Sequence, residues 1–190
     1  MKIDFSRGNW TMDGMTYACA WKFDDIRRFV QEDDCIANET DAENPHGYSF
    51  VTMLTENTYD SGSTASATCS FESYGAPILL ITDELDVDDR GILRYGNYFE
   101  VCIWERGVNL WHYTQKDGKP SWVKAMAATF PLEGNKKYKI SATVVGNGIN
   151  FEVDGRKFFM RVENMYKKVH FGINACEGLN RFYDFEVKEI

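Results

Sequence analysis

The sequence predicts an all-β fold, a two-sheet antiparallel sandwich that takes in residues 1–190 as one domain. Three observations predict it. Most segments alternate apolar and polar residues with a period of two, the pattern of strands with one buried face. Glycine-based turn signals recur at short intervals, at Arg106-Gly107, Asn147-Gly148 and Asp154-Gly155. No stretch repeats the strand–helix–strand order of a parallel sheet. With 190 residues, 44% of them hydrophobic, the chain is long enough to bury one good core.

Met15 to Phe23 alternates, with Met15, Tyr17, Cys19, Trp21 and Phe23 on one face. Asp24 to Val30 has two acids at its start and apolar residues at Ile26, Phe29 and Val30, which predicts one or two helical turns. Tyr48 to Glu56 and Thr64 to Glu72 read as strands on either side of a Tyr59-Asp-Ser-Gly-Ser turn. Pro77 to Thr82 is a short apolar run suited to a strand buried on both faces. Asn147-Gly148 and Asp154-Gly155 bracket Ile149 to Val153 and define a three-stranded meander from Tyr138 to Val162. Val169 to Cys176, a loop, and Phe182 to Val187 close the chain.

The hairpin over residues 98–113 carries the most chemistry. A turn at Arg106-Gly107 pairs Glu105 with Val108. Phe99, Val101, Ile103 and Leu110 then share a core face. Glu100, Trp104, Asn109, Trp111 and Tyr113 share the other. Two indoles and a phenol beside a carboxylate and an amide suit a sugar ring, because flat apolar rings face its C–H groups and the polar groups take its hydroxyls. The same face also suits packing under a loop or against the N-terminal segment, since Trp is largely buried in most folds.

Composition narrows the partners. There are 21 Lys+Arg against 29 Asp+Glu, a net charge of −8. That argues against nucleic acid and anionic membrane, which call for a basic face, and leaves a neutral oligo- or polysaccharide open. No run of 18 apolar residues marks a membrane-spanning helix. The start, Met-Lys-Ile-Asp-Phe-Ser-Arg-Gly, lacks an apolar signal core. Five scattered cysteines (Cys19, Cys35, Cys69, Cys102, Cys176) add to that and predict reduced thiols in a cytoplasmic protein. A nucleophilic cysteine has only His46, His112 and His170 as possible partners. No Ser/His/Asp order, phosphate loop or dinucleotide fingerprint is present.

Four pieces, quoted as they stand, carry a resemblance: Phe71-Glu-Ser-Tyr-Gly-Ala-Pro-Ile-Leu-Leu-Ile-Thr, the 98–113 hairpin, Tyr138 to Val153 with its trailing Asp-Gly, and Phe171-Gly-Ile-Asn with Phe182-Tyr-Asp-Phe-Glu-Val. Their order resembles the concanavalin A-like lectin/glucanase superfamily, and the last two are similar to pieces of laminin-G-like and glycosidase-associated jelly rolls. The resemblance covers about residues 48–190 and is one of pattern. It implies two curved sheets, with ligands held on the concave face or its rim.

Laminarinase-type members carry Glu-Ile/Leu-Asp-Ile/Val-x-Glu on one strand. Glu84-Leu-Asp-Val matches this, but Asp88 or Asp89 stands where the final Glu belongs, and the segment reads equally as a solvated acidic turn. Asp86-x-Asp88-x-Arg90-Gly91 is a broken calcium-loop pattern, so calcium is the one metal considered and no cofactor is expected. In the last loop, Glu177, Asn180 and Arg181 are candidates to rim the binding face, and Glu177 is the candidate acid/base partner of Glu100. The plainer reading is a surface pair of Arg181 with Glu177 or Asp184. Three functions therefore stand: a carbohydrate-binding jelly roll with Trp104, Asn109, Trp111, Tyr113, Asn180 and Arg181 at its ligand; a glycoside hydrolase using Glu100 and Glu177, or Glu84 and Asp86; and a protein-interaction or structural sandwich without a sugar.

Overall fold

The computed structural model describes residues 1–20, 23, 25–116 and 119–189. Trp21 and Asp24, placed above in a strand and a helical turn, lie outside the described residues. The described chain contains strands and no helix. In chain order these are β1 (Lys2–Asp4), β2 (Met15–Ala20), β3 (Val30–Gln31), β4 (Ile36–Ala37), β5 (Tyr48–Thr55), β6 (Tyr59–Asp60), β7 (Thr64–Phe71), β8 (Pro77–Thr82) and β9 (Leu85–Val87). They continue with β10 (Leu93–Tyr95), β11 (Tyr98–Trp104), β12 (Gly107–Lys116), β13 (Lys119–Thr129), β14 (Tyr138–Val145), β15 (Gly148–Val153), β16 (Arg156–Arg161), β17 (Lys168–Glu177) and β18 (Asn180–Lys188).

One sheet runs β16-β15-β14-β7-β18-β4-β3, with β1 against β18. The other runs β13-β12-β11-β8-β17-β5-β2-β10-β9, with β6 against β17. All pairings are antiparallel except the two-residue contact of β10 with β2. Residues 25–29 are irregular rather than helical. Phe29 packs edge-on against Phe182 and its amide donates to the Tyr17 hydroxyl, so tertiary contacts, not a helical face, fix this segment.

Alternation on the larger sheet sorts its side chains into two clusters. Val51, Met53, Leu79, Ile81, Phe99, Val101, Ile103, Leu110, Phe171 and Ile173 point between the sheets into the main core. Ala18, Ala20, Phe50, Leu54, Ile78, Leu80, Tyr98, Cys102 and Tyr113 point to the outer, concave face. There they form a second cluster with Tyr95, Leu85, Leu93 and Phe23. The β9–β10 ribbon thus covers part of that face, and every residue of β8 is buried, as a strand enclosed on both sides requires. All five cysteines are buried free thiols.

Candidate functional site

The uncovered part of the concave face is a cleft of about 440 Å³. Its lining comes from β11 (Glu100, Cys102, Trp104), β12 (Asn109, Trp111), β13 (Trp122, Lys124), the start of β8 (Ala76, Ile78), the end of β17 (Cys176, Glu177) and Tyr48 of β5. The hairpin that dominates it pairs Glu100 with Trp111, Cys102 with Asn109 and Trp104 with Gly107. Its two-residue turn is therefore Glu105-Arg106, one residue earlier than the glycine suggested. The pairing moves by an even number of positions, so every side chain keeps its face. Gly107 is required for another reason. Its φ is +130°, and a Cβ there would lie 2.0 Å from the Ala128 carbonyl oxygen on β13.

Two bulges set the walls. Between β12 and β13 the register shifts at Leu110/Trp111: Leu110 faces Met126, but Trp111 faces Lys124, leaving Ala125 as the extra residue. This turns Trp122 and Lys124 toward the cleft while Met126 and Ala128 keep their contact with the main core. Between β17 and β5 the register shifts at Ala175/Glu177, which brings Glu177 opposite Tyr48. Phe50, in the bulged segment, has φ +42°. Sequence alternation did not single out Trp122, Lys124 or Tyr48 for the site. Ser121-Trp-Val-Lys has a readable strand pattern, but the bulge that sets its face does not show in the residue types.

The walls are aromatic and the polar groups sit among them. Trp111 meets Trp122 edge-on at 5.9 Å between ring centroids. The Lys124 ammonium lies 4.9 Å from the Trp111 ring centre, and the Arg106 guanidinium lies 5.6 Å from that of Trp104. Trp122 is 41% exposed, so this wall opens to solvent. Opposite stands Tyr48, 67% exposed, whose hydroxyl is pushed above its ordinary value chiefly by the neighbouring Glu177 charge. Glu100 occupies the expected face yet is only 2% exposed, on the cleft floor. Burial, and then the Glu100 charge, raises the phenols of Tyr95 and Tyr98.

Burial, Glu100 and Glu177 together hold the Cys102 thiol well above its usual value, which keeps it protonated. No histidine is among the described residues of the cleft lining. His112 stacks on Phe99 on the opposite face of the sheet, and His170 bonds the Thr55 carbonyl through Nδ1. A thiol–imidazole pair is therefore not assembled here.

The remaining candidates are placed elsewhere. Tyr113 lies on the concave face but is 2% exposed, stacked on Tyr98 under the β9–β10 cover. Asn180 is fully buried, its amide bonded to Asn38 and to the Glu177 carbonyl. Arg181 is held by Glu32 at 2.8 Å and Glu72 at 3.3 Å rather than by Glu177 or Asp184. Glu84 and Asp86 line a separate depression of about 340 Å³ with Arg94, Tyr95 and Asn97. The Asp88 carboxylate accepts from Arg94 and from the Arg90 and Ile92 amides, which lower its pKa to about 2. These bonds occupy the oxygens that a calcium loop would direct at an ion.

No family model and no curated protein sequence matches the chain. Solved structures do. A carbohydrate-binding module, CBM66, from Bacillus subtilis superposes with TM-score 0.64 at 15% identity, over 93% of this chain and 96% of that one. A family 16 glycoside hydrolase endo-glucanase from Bacteroides ovatus gives 0.66 at 10% identity, over 99% of each. The chain has the concanavalin A-like jelly-roll fold. A galectin-like jelly roll of unknown function from Bacillus subtilis gives 0.67 at 10% identity, over 100% of this chain and 94% of that one. The jelly-roll neighbours thus include binding modules and hydrolases of one architecture. At these identities the shared property is the fold itself.

Proposed function

We propose that this jelly roll binds a saccharide in its concave cleft. The observation that carries the reading is the composition of that cleft: Trp104, Trp111 and Trp122 on one wall, Tyr48 on the other, and Glu100, Asn109 and Glu177 among them. Rigid aromatic rings offer contact area with few rotors to freeze, and the carboxylates and amide take hydroxyl hydrogen bonds. The protein-interaction alternative calls for an exposed apolar patch, whereas these rings are interleaved with charged and polar side chains. Wild-type protein and Trp111→Ala are compared by affinity electrophoresis through gels containing a panel of soluble polysaccharides. Retardation of the wild type, relieved by the substitution, is the expected result. No retardation by any polysaccharide counts against the reading.

Hydrolysis is the second reading, favoured by the presence of Glu100 and Glu177 in the same cleft. Spacing weighs against its retaining form. Glu100 faces Leu80, while the Glu177 carbonyl accepts from the Ala76 amide, so the two stand on either side of β8 and four residues apart along it. At about 4.8 Å between strands and about 3.3 Å per residue, their Cα atoms lie roughly 16 Å apart. Two glutamates pointed straight at each other then reach the range of an inverting pair, about 6.5–9.5 Å, and fall short of the roughly 5–5.5 Å of a retaining one. Release of reducing sugar from a glycoside panel, abolished by Glu100→Gln or Glu177→Gln in folded protein, would reverse this preference.

A further inference from the structure

The cleft does not run the full width of the sheet. Toward β5 it meets Tyr48, which stacks on Phe50 at 5.6 Å, and Phe50 in turn packs on Phe23 at 4.4 Å. Along the strands, past Glu100 and Trp111, it meets Tyr98 and Tyr113, stacked at 4.8 Å, with Tyr95 edge-on to Tyr98 at 5.0 Å. Tyr95, Tyr98 and Tyr113 are each no more than 2% exposed, and the Tyr95 hydroxyl is tied to Thr52 of β5 at 3.2 Å. Two aromatic stacks therefore frame the inner end. On the opposite side the cleft runs to β13, the edge strand of this sheet among the described residues, which carries exposed Trp122 and Lys124.

We propose that the cleft recognises the end of a saccharide chain rather than an internal stretch. This rests on the saccharide-binding reading above. A chain lying across the sheet would have to pass through Phe50 and Tyr95, which belong to a packed cluster. A chain end has only to enter from β13. Its terminal unit then lies between Trp111 and Tyr48, with Glu100 and Glu177 within reach of hydroxyls that an internal unit uses in its linkages. The following units leave over Trp122, where they meet one ring and then solvent. Affinity should therefore saturate after a short chain, because contacts beyond the rim add little.

The test uses oligosaccharide ladders, disaccharide to hexasaccharide, of the series whose polysaccharide retards the wild type, with that polysaccharide as the last member. Titration calorimetry is expected to give a Kd constant to within about twofold from trisaccharide upward. The polysaccharide should bind one protein per chain end whatever its length. Trp122→Ala, at the rim of the cleft, should weaken the trisaccharide and longer members by more than it weakens the disaccharide. An affinity that keeps rising to the hexasaccharide, or a stoichiometry that grows with polymer length, would overturn the proposal and leave saccharide binding standing. Failure of every ladder and polysaccharide to bind would overturn both.

Discussion

Replacing Gly107 by alanine tests how tightly the two strands of the cleft wall are seated. At φ +130° an L residue is strained, at a cost of about 1–3 kcal/mol. The new Cβ would also sit 2.0 Å from the Ala128 carbonyl oxygen and 3.1 Å from the Phe130 nitrogen, atoms of backbone that cannot rotate away. Opening β13 to make room adds about 1–3 kcal/mol, the usual scale of overpacking. The sum is about 2–6 kcal/mol. Gly155 supplies the control. Its φ is +82°, with nothing within 4 Å of its would-be Cβ. Gly155→Ala should thus cost only about 1 kcal/mol of backbone strain. Urea unfolding followed by tryptophan fluorescence gives both values. Costs within about 0.5 kcal/mol of each other would refute the close approach of β12 and β13, which sets Trp111 against Lys124.

Trp111→Ala should weaken saccharide binding by about 1–2 kcal/mol, read by titration against the retained polysaccharide. It should cost less stability than Ile103→Ala, where a fully buried side chain leaves a cavity worth about 2–5 kcal/mol. Asp88 titrates at about 2 in the folded chain, below its ordinary value. Its contribution to stability is therefore complete above the unfolded carboxyl pKa and is lost as pH falls through the folded one. The stability gap between wild type and Asp88→Asn should be flat above about pH 5 and close toward about pH 2 by unfolding at a series of pH values. Thiol titration in denaturant without reductant should find all 5 cysteines, while the native protein reacts slowly because each is buried.

Faces were legible in this sequence, and coverage was not. Alternation placed Glu100, Trp104, Asn109 and Trp111 on one side of the hairpin, and the cleft holds all four. It placed Tyr113 there too, but residues around Tyr95, far away in the sheet order, come back over that side chain. Glu100 keeps its face too, but lies buried on the cleft floor. The glycine at 107 was read as a turn former, when it answers to the neighbouring strand. Arg181 was assigned acids near it in sequence, whereas the fold supplies Glu32 and Glu72 from 149 and 109 residues away. The Asp24 to Val30 segment shows the weakness of short windows, since a few apolar positions at helical spacing are met equally by a loop that inserts one phenylalanine.

The extra residue at Ala125 decides which residues of β13 the cleft sees. Were Ala125 taken into regular pairing opposite Trp111, Val123 would stand opposite Tyr113 and turn toward the cleft, and Trp122 and Lys124 would turn away from it. Deleting Ala125 would leave the wall as it is, because Lys124 would then follow Met126 in regular pairing and still face Trp111. A slip of one position along residues 119–124, with no residue replaced, thus exchanges an indole and an ammonium for a valine and an alanine on the wall. Strand irregularities of this kind are a means by which jelly rolls of this shape could diverge in what they hold.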